Sequence, residues 1–154
     1  MSHQSMVHRT ATMARTYSAS PARVFAAWAD PEIRRLWGSP SDEVELRIDA
    51  ADFRIGGEDQ QTCVVQGEPV AFVTGRYHDI VPDRRIIYTE VISEADALLG
   101  MSLVSAEFIA DGSGTRLELT LQTVAVDGSD LLDGVEEGWT SALDRLGAQL
   151  MAVV

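Results

Sequence analysis

Apolar and polar positions alternate along this chain in two rhythms, one of period two and one of three to four residues. Val7, Ala11, Met13 and Tyr17 recur at even spacing, which predicts an extended stretch over 7–19. Ser20-Pro21 then reads as a helix start, Ser as N-cap and Pro at the first helical position. Val24, Phe25 and Trp28 share one face of that helix. Asp30-Pro31 repeats the signal and predicts a second short helix from Pro31 to about Leu36, ended by Gly38 and Pro40. Val44, Leu46 and Ile48 alternate with charges as a half-buried strand, and Gly56-Gly57 marks a bend or bulge. Further strands are predicted at 58–66, 70–80, 84–93, 102–110 and 115–125. Turn signals separate them at Gln66-Gly67-Glu68-Pro69, at Pro82-Asp83, around Gly100, and at Asp111-Gly112-Ser113-Gly114.

The alternation is strictest late in the chain. Val104, Ala106 and Phe108 share one face, as do Leu117, Leu119 and Leu121, and both sets are predicted to point inward. Leu132, Val135, Trp139, Ala142, Leu143, Leu146, Leu150 and Val153 then recur at steps of three and four, which predicts one long amphipathic helix. Gly134, Gly138 and Gly147 interrupt it, each at about 1 kcal/mol relative to Ala. Two readings of Gly138 stand: close packing on the sheet, or room beside Trp139 for a ligand. The connections between strands are short, which favours antiparallel hairpins. The predicted class is therefore α+β. A seven-stranded curved antiparallel sheet wraps around a long C-terminal helix, with two short helices after the first strand. Residues 1–6 are expected to be a flexible N-terminus and 7–154 a single domain. A curved sheet around one helix leaves room for a cavity between them.

Several motifs fall in a characteristic order. They are the run from Arg15 to Trp28, Asp30-Pro31-Glu32, and Trp37 with Pro40. Asp52-Phe53-Arg54-Ile55-Gly56-Gly57 follows, then the run from Gly75 to Thr89, Gly114-Thr115-Arg116-Leu117, and Glu137-Gly138-Trp139 with Leu143 and Leu146. In these the chain resembles bacterial relatives of the C-terminal domain of the 90-kDa heat-shock-protein ATPase activator. That family lies within the SRPBCC (START-like, polyketide-cyclase-like) superfamily. The resemblance runs from about residue 13 to 150 and implies the START-like helix-grip fold. It implies no single function, because the fold hosts many.

The departures from the family pattern single out candidate site residues. Gly38 stands where a second aromatic is usual. Asp59, Gln61 and Cys63 stand where apolar residues usually alternate, and Glu90 stands where an aromatic is common. In that register Asp59, Gln61 and Glu90 face the cavity and make it more acidic. The other reading turns Asp59 to solvent through a bulge at Gly56-Gly57 and leaves Glu90 near a strand end. Arg54, Arg76 and Arg116 are the candidate partners for a buried carboxylate. His78 is a candidate general base, or a plain surface strand position. Cys63 has no neighbouring His and reads first as a small hydrophobe. Trp28, Trp37, Tyr88 and Trp139 are core aromatics that can also wall a cavity.

Composition narrows the function. The chain has 154 residues, 45% of them hydrophobic, which supports one real core. Net charge is −12, all 12 basic residues are Arg, and Lys is absent. No basic stripe suits nucleic acid, no Lys serves a Schiff base or P-loop, and an anionic membrane surface would repel the chain. Cys63 alone forms no internal disulfide, and His3, His8 and His78 with one Cys do not build a structural zinc site. No cofactor is indicated. Met1 to Arg15 lacks an apolar segment, so a secretory signal is not expected and a cytoplasmic location is.

Three function classes follow. The first is a module binding a small hydrophobic or amphipathic molecule, walled by Trp37, Tyr88 and Trp139 and oriented by Asp59, Gln61 or Glu90. The second is a cyclase- or hydratase-type enzyme moving protons through a pair such as Glu90 with His78. The third, implied by the resemblance alone, is a chaperone-ATPase-stimulating interaction protein. A homodimer through an exposed strand edge and a monomer stay equally open. The acidic cavity favours a neutral or cationic ligand, and only Arg can compensate it.

Overall fold

In a computed structural model, which describes residues 5–152, seven strands and three helices alternate as the pattern predicts. The elements are β1 (Met6–Tyr17), α1 (Pro21–Ala29), α2 (Pro31–Trp37), β2 (Glu45–Ala51), β3 (Glu58–Val65), β4 (Glu68–Val81), β5 (Arg85–Glu94), β6 (Ala97–Asp111), β7 (Gly114–Val126) and α3 (Leu131–Ala152). All seven strands form one antiparallel sheet in the order β1-β7-β6-β5-β4-β3-β2. β1 and β2 thus lie on opposite edges, and α1 and α2 carry the chain from one to the other.

Local chemistry explains the short helices. The Ser20 hydroxyl accepts from the Arg23 N–H, and the Asp30 carboxylate accepts from the Glu32 N–H at 2.9 Å. Asp30 both closes α1 and opens α2, with Pro21 and Pro31 at the first helical positions. Trp37 Nε1 donates to the Ala27 carbonyl at 3.0 Å and locks α2 onto α1.

The inward strand faces are those the alternation predicts. Val104, Ala106, Phe108, Leu117, Leu119 and Leu121 are all buried. They pack with Val24, Phe25 and Trp28 of α1 and with Leu143 and Leu146 of α3. Tyr17 staples α3 to the sheet, since its hydroxyl donates to the Leu143 carbonyl at 2.8 Å. Gly147 makes that contact close, because a Cβ there would stand 3.2 Å from the Tyr17 ring.

Several boundaries differ from expectation. The first four residues of the segment expected to be loose, 1–6, lie outside the described residues, as does Val153, while Met6 already pairs with Val126 in β1. The extended stretch expected to reach Ala19 stops at Tyr17, the end of the pairing with β7. The turn after β3 is two residues, Gln66 and Gly67, both at positive φ, so β4 begins at Glu68 rather than 70. Gly100 is not a turn. It lies inside β6, where a Cβ would come within 2.0 Å of the Val124 carbonyl, and the reversal falls at Ala95-Asp96 instead.

Candidate functional site

Between the concave face of the sheet and helices α2 and α3 lies a cavity of about 280 Å³. Its floor follows from strand register. Residues directly opposite one another share a face. One row crosses six of the seven strands: Asp59 opposite Gly75, then Glu90, Ser102, Thr123 and Arg9. Apart from Gly75 this row is polar, while its neighbours on the concave face are mostly apolar. The row on one side runs Tyr77, Tyr88, Val104, Leu121 and Ala11; on the other it runs Gln61, Val73, Ile92, Gly100 and Ala125.

Asp59 is buried, not turned to solvent. Its partner is Arg34 of α2, whose Nη1 lies 2.8 Å from Asp59 Oδ2. The Tyr77 hydroxyl bridges the pair. It donates to Asp59 Oδ2 at 2.5 Å and accepts from Arg34 Nη1 at 2.6 Å. The expected partners are all engaged elsewhere at exposed positions: Arg54 with Asp52, Arg76 with Glu58, and Arg116 with Glu118. Burial works against the Arg34 charge, but Tyr77 and Asp59 outweigh it and hold the guanidinium above its ordinary pKa. Burial pushes the Tyr77 hydroxyl above its ordinary range. Arg34 Nε and Nη2, Asp59 Oδ1 and Trp28 Nε1 are buried without a hydrogen-bond partner among the described residues. The cluster is thus rigidly placed but not fully satisfied.

Glu90 behaves differently. It borders the cavity and makes no hydrogen bond among the described residues. Burial raises its pKa to about 7, with Arg34 opposing the shift and Asp59 adding to it. The carboxyl therefore changes charge near neutrality. Burial, then the Glu90 charge, likewise pushes up the Tyr88 hydroxyl and the Cys63 thiol, so both stay protonated.

The remaining wall is aromatic and aliphatic. Trp139 of α3 stacks on Trp28 of α1, with ring centroids 5.6 Å apart. Trp28 also meets Trp37 at 5.1 Å and the edge of Tyr88 at 6.5 Å. Gly138 faces Pro40, 3.1 Å from where its Cβ would stand, so its close approach is to the α2–β2 connection and not to a strand. Gly134 is exposed, borders the cavity and would meet nothing within 4 Å, so the cavity opens beside the first turn of α3.

Seven of the eight candidate residues thus come together on this cavity: Trp37, Asp59, Gln61, Cys63, Tyr88, Glu90 and Trp139. His78 does not. It is exposed, its Nε2 lies 3.0 Å from Thr89 Oγ1, and it occupies the bulge where pairing jumps from Tyr77 to Asp79. Tyr77 points inward, so His78 points out, and a Glu90–His78 acid–base pair is not formed. Sequence reasoning missed Arg34 and Tyr77, whereas Trp28, read as a core aromatic able to wall a cavity, does line it. For Arg34 a signal existed: it sits three residues before Trp37, which places a charge on the buried face of a short helix.

A family model described as activator of Hsp90 ATPase homolog 1-like protein matches residues 18–151. A solved structure from Rhizobium loti is 36% identical with a TM-score of 0.84, covering 95% of this chain and 99% of that one. One from Rhizobium leguminosarum is 30% identical with a TM-score of 0.86, covering 96% and 97%. One from Silicibacter pomeroyi, 23% identical with a TM-score of 0.74 over 94% and 99%, shares the fold. No curated protein matches the chain. Among the described residues no helix is long and apolar enough to cross a membrane. On the family match and on the helix-grip architecture, the chain belongs to the activator of Hsp90 ATPase homolog 1-like family.

Proposed function

We propose that this protein binds a small amphipathic molecule in the cavity between the sheet and α3. The carrying observation is the cavity itself. Its volume of about 280 Å³ lies at the lower end of ligand sites, and its lining combines aromatic and aliphatic walls with a few convergent polar groups. Trp139, Trp28 and Tyr88 supply the apolar surface, while Glu90 and Gln61 supply orientation. The Arg34–Asp59–Tyr77 cluster fixes the polar end by tying α2 to β3 and β4. Native mass spectrometry and a thermal-shift screen against hydrophobic metabolites test this reading. Retained small molecules and raised unfolding temperatures support it; a chain that retains nothing and shifts with nothing overturns it.

A second reading rests on Glu90. A carboxyl whose pKa is lifted to about 7 inside an apolar cavity suits general acid–base work on a bound ligand. Turnover by the purified protein that is lost in Glu90→Gln while ligand binding persists would favour this reading over plain binding.

A further inference from the structure

We propose that the ligand carries a protonated amine, seated against Glu90 in the cavity that Tyr88 and Trp139 help to line. This rests on the cavity being a binding site and names the chemistry it selects. The charged residues lining the cavity are Arg34, Asp59 and Glu90. Arg34 and Asp59 cancel each other at 2.8 Å, and their remaining polar atoms, Arg34 Nε and Nη2 and Asp59 Oδ1, are buried. Glu90 is left over. It borders open space, receives no hydrogen bond from any described residue, and has no second cation within the lining. The chain contains no Lys that could swing in.

The groups facing Glu90 do not alter that sum. β3 presents Asp59 and Cys63, β4 presents Tyr77, β5 presents Tyr88, and α2 presents Arg34. The hydroxyls and the thiol are held neutral by burial. The part of α3 that lines the cavity, including Gly134, Val135 and Trp139, contributes no titratable group. An anionic head would meet an uncompensated carboxylate. A neutral head leaves that carboxylate desolvated and unpaired, which is costly. An ammonium pairs with it and also meets aromatic faces, which attract cations. The apolar remainder of the wall takes the hydrocarbon body. The predicted class is therefore a small hydrophobic amine.

The shifted carboxyl supplies a signature. Near pH 6 Glu90 is largely protonated, so an incoming ammonium must expel its proton. The probes are octylamine, octanol and octanoate, which share one chain length and differ in head group. Binding is followed by intrinsic tryptophan fluorescence and by calorimetry in two buffers of different ionisation enthalpy. Octylamine is expected to bind about tenfold or more tighter than octanol or octanoate near pH 8. Its advantage should shrink toward pH 6, with release of nearly one proton per molecule bound there and none near pH 8. Glu90→Gln should bring octylamine and octanol to equal affinity. The comparison of the three probes needs only the unaltered protein, so the test does not depend on how that variant folds. Octanol or octanoate binding as tightly as octylamine near pH 8, or octylamine keeping its advantage in folded Glu90→Gln, overturns the amine assignment while the cavity-binding reading stands. Failure of all three probes to bind overturns both.

Discussion

Arg34 reaches across from α2 to lie 2.8 Å from Asp59 on β3, and both side chains are at least nine-tenths buried. A helix that follows strand one is thereby tied to a strand near the opposite edge of the sheet. The bond joins ions that water would otherwise stabilise, so its value lies in placement more than in net stability.

Removing one ion leaves the other unpaired in the interior. Arg34→Met is expected to destabilise the fold by about 3–5 kcal/mol, and Asp59→Leu by a similar amount. The double variant should lie well above the sum of the two. Urea unfolding of the four proteins checks this; strict additivity would show that the two side chains are not energetically coupled.

Tyr77 bridges that pair through its hydroxyl while its ring packs 5.0 Å from Phe53 and 5.5 Å from Tyr88. Tyr77→Phe keeps the packing and removes the bridge. A loss of about 1–3 kcal/mol is expected by chemical denaturation, with the cavity geometry intact by crystallography.

Glu90 makes stability fall with rising pH. Its folded pKa, about 7, lies above the unfolded value near 4.5, so the folded state holds the extra proton between them. Ionisation therefore withdraws stability as pH rises from about 4.5 through 7, by up to about 3 kcal/mol. Glu90→Gln should be more stable than the parent above pH 7, and the gap should close toward pH 4.5. Thermal melts across that range give the answer directly.

Gly134 has open space where a Cβ would stand and lies in the first turn of α3. Gly134→Ala is expected to stabilise the fold by up to about 1 kcal/mol. Gly134→Trp should fill the cavity mouth and slow or abolish uptake of an octyl probe without unfolding the chain. Stopped-flow tryptophan fluorescence would register the change in rate.

The sheet and the long helix were legible because period two and period three-to-four dominate wherever one face is buried. Leu117, Leu119 and Leu121 could not be moved by one position without turning the core outward. The turns were less legible. Gly100 looks like punctuation, but what demands Gly there is the nearby Val124 carbonyl, a contact between strands that no local pattern encodes. The carboxylates at the site were readable as departures from the family pattern, because Asp59 and Glu90 sit where apolar residues are usual. Their partner was not. Arg34 is close to Asp59 only because α1 and α2 cross the sheet, and sequence separation hides such a pair. For His78 the sequence left two readings open, and plain alternation past the inward-facing Tyr77 gives the surface one.

The pairing of β1 with β7 has a kinetic side. Met6 meets Val126, so β1 waits for β7, the last strand of the sheet, before it gains its hydrogen-bonded neighbour. Until then its partner groups stay open to other chains, and closing so long a loop is slow. The five hairpins from β2 to β7 need no such wait. The meander should therefore form first, with β1 and α3 docking as a later event. Synthesis rate and chaperone supply would then bear on the yield of this protein more than its final stability does.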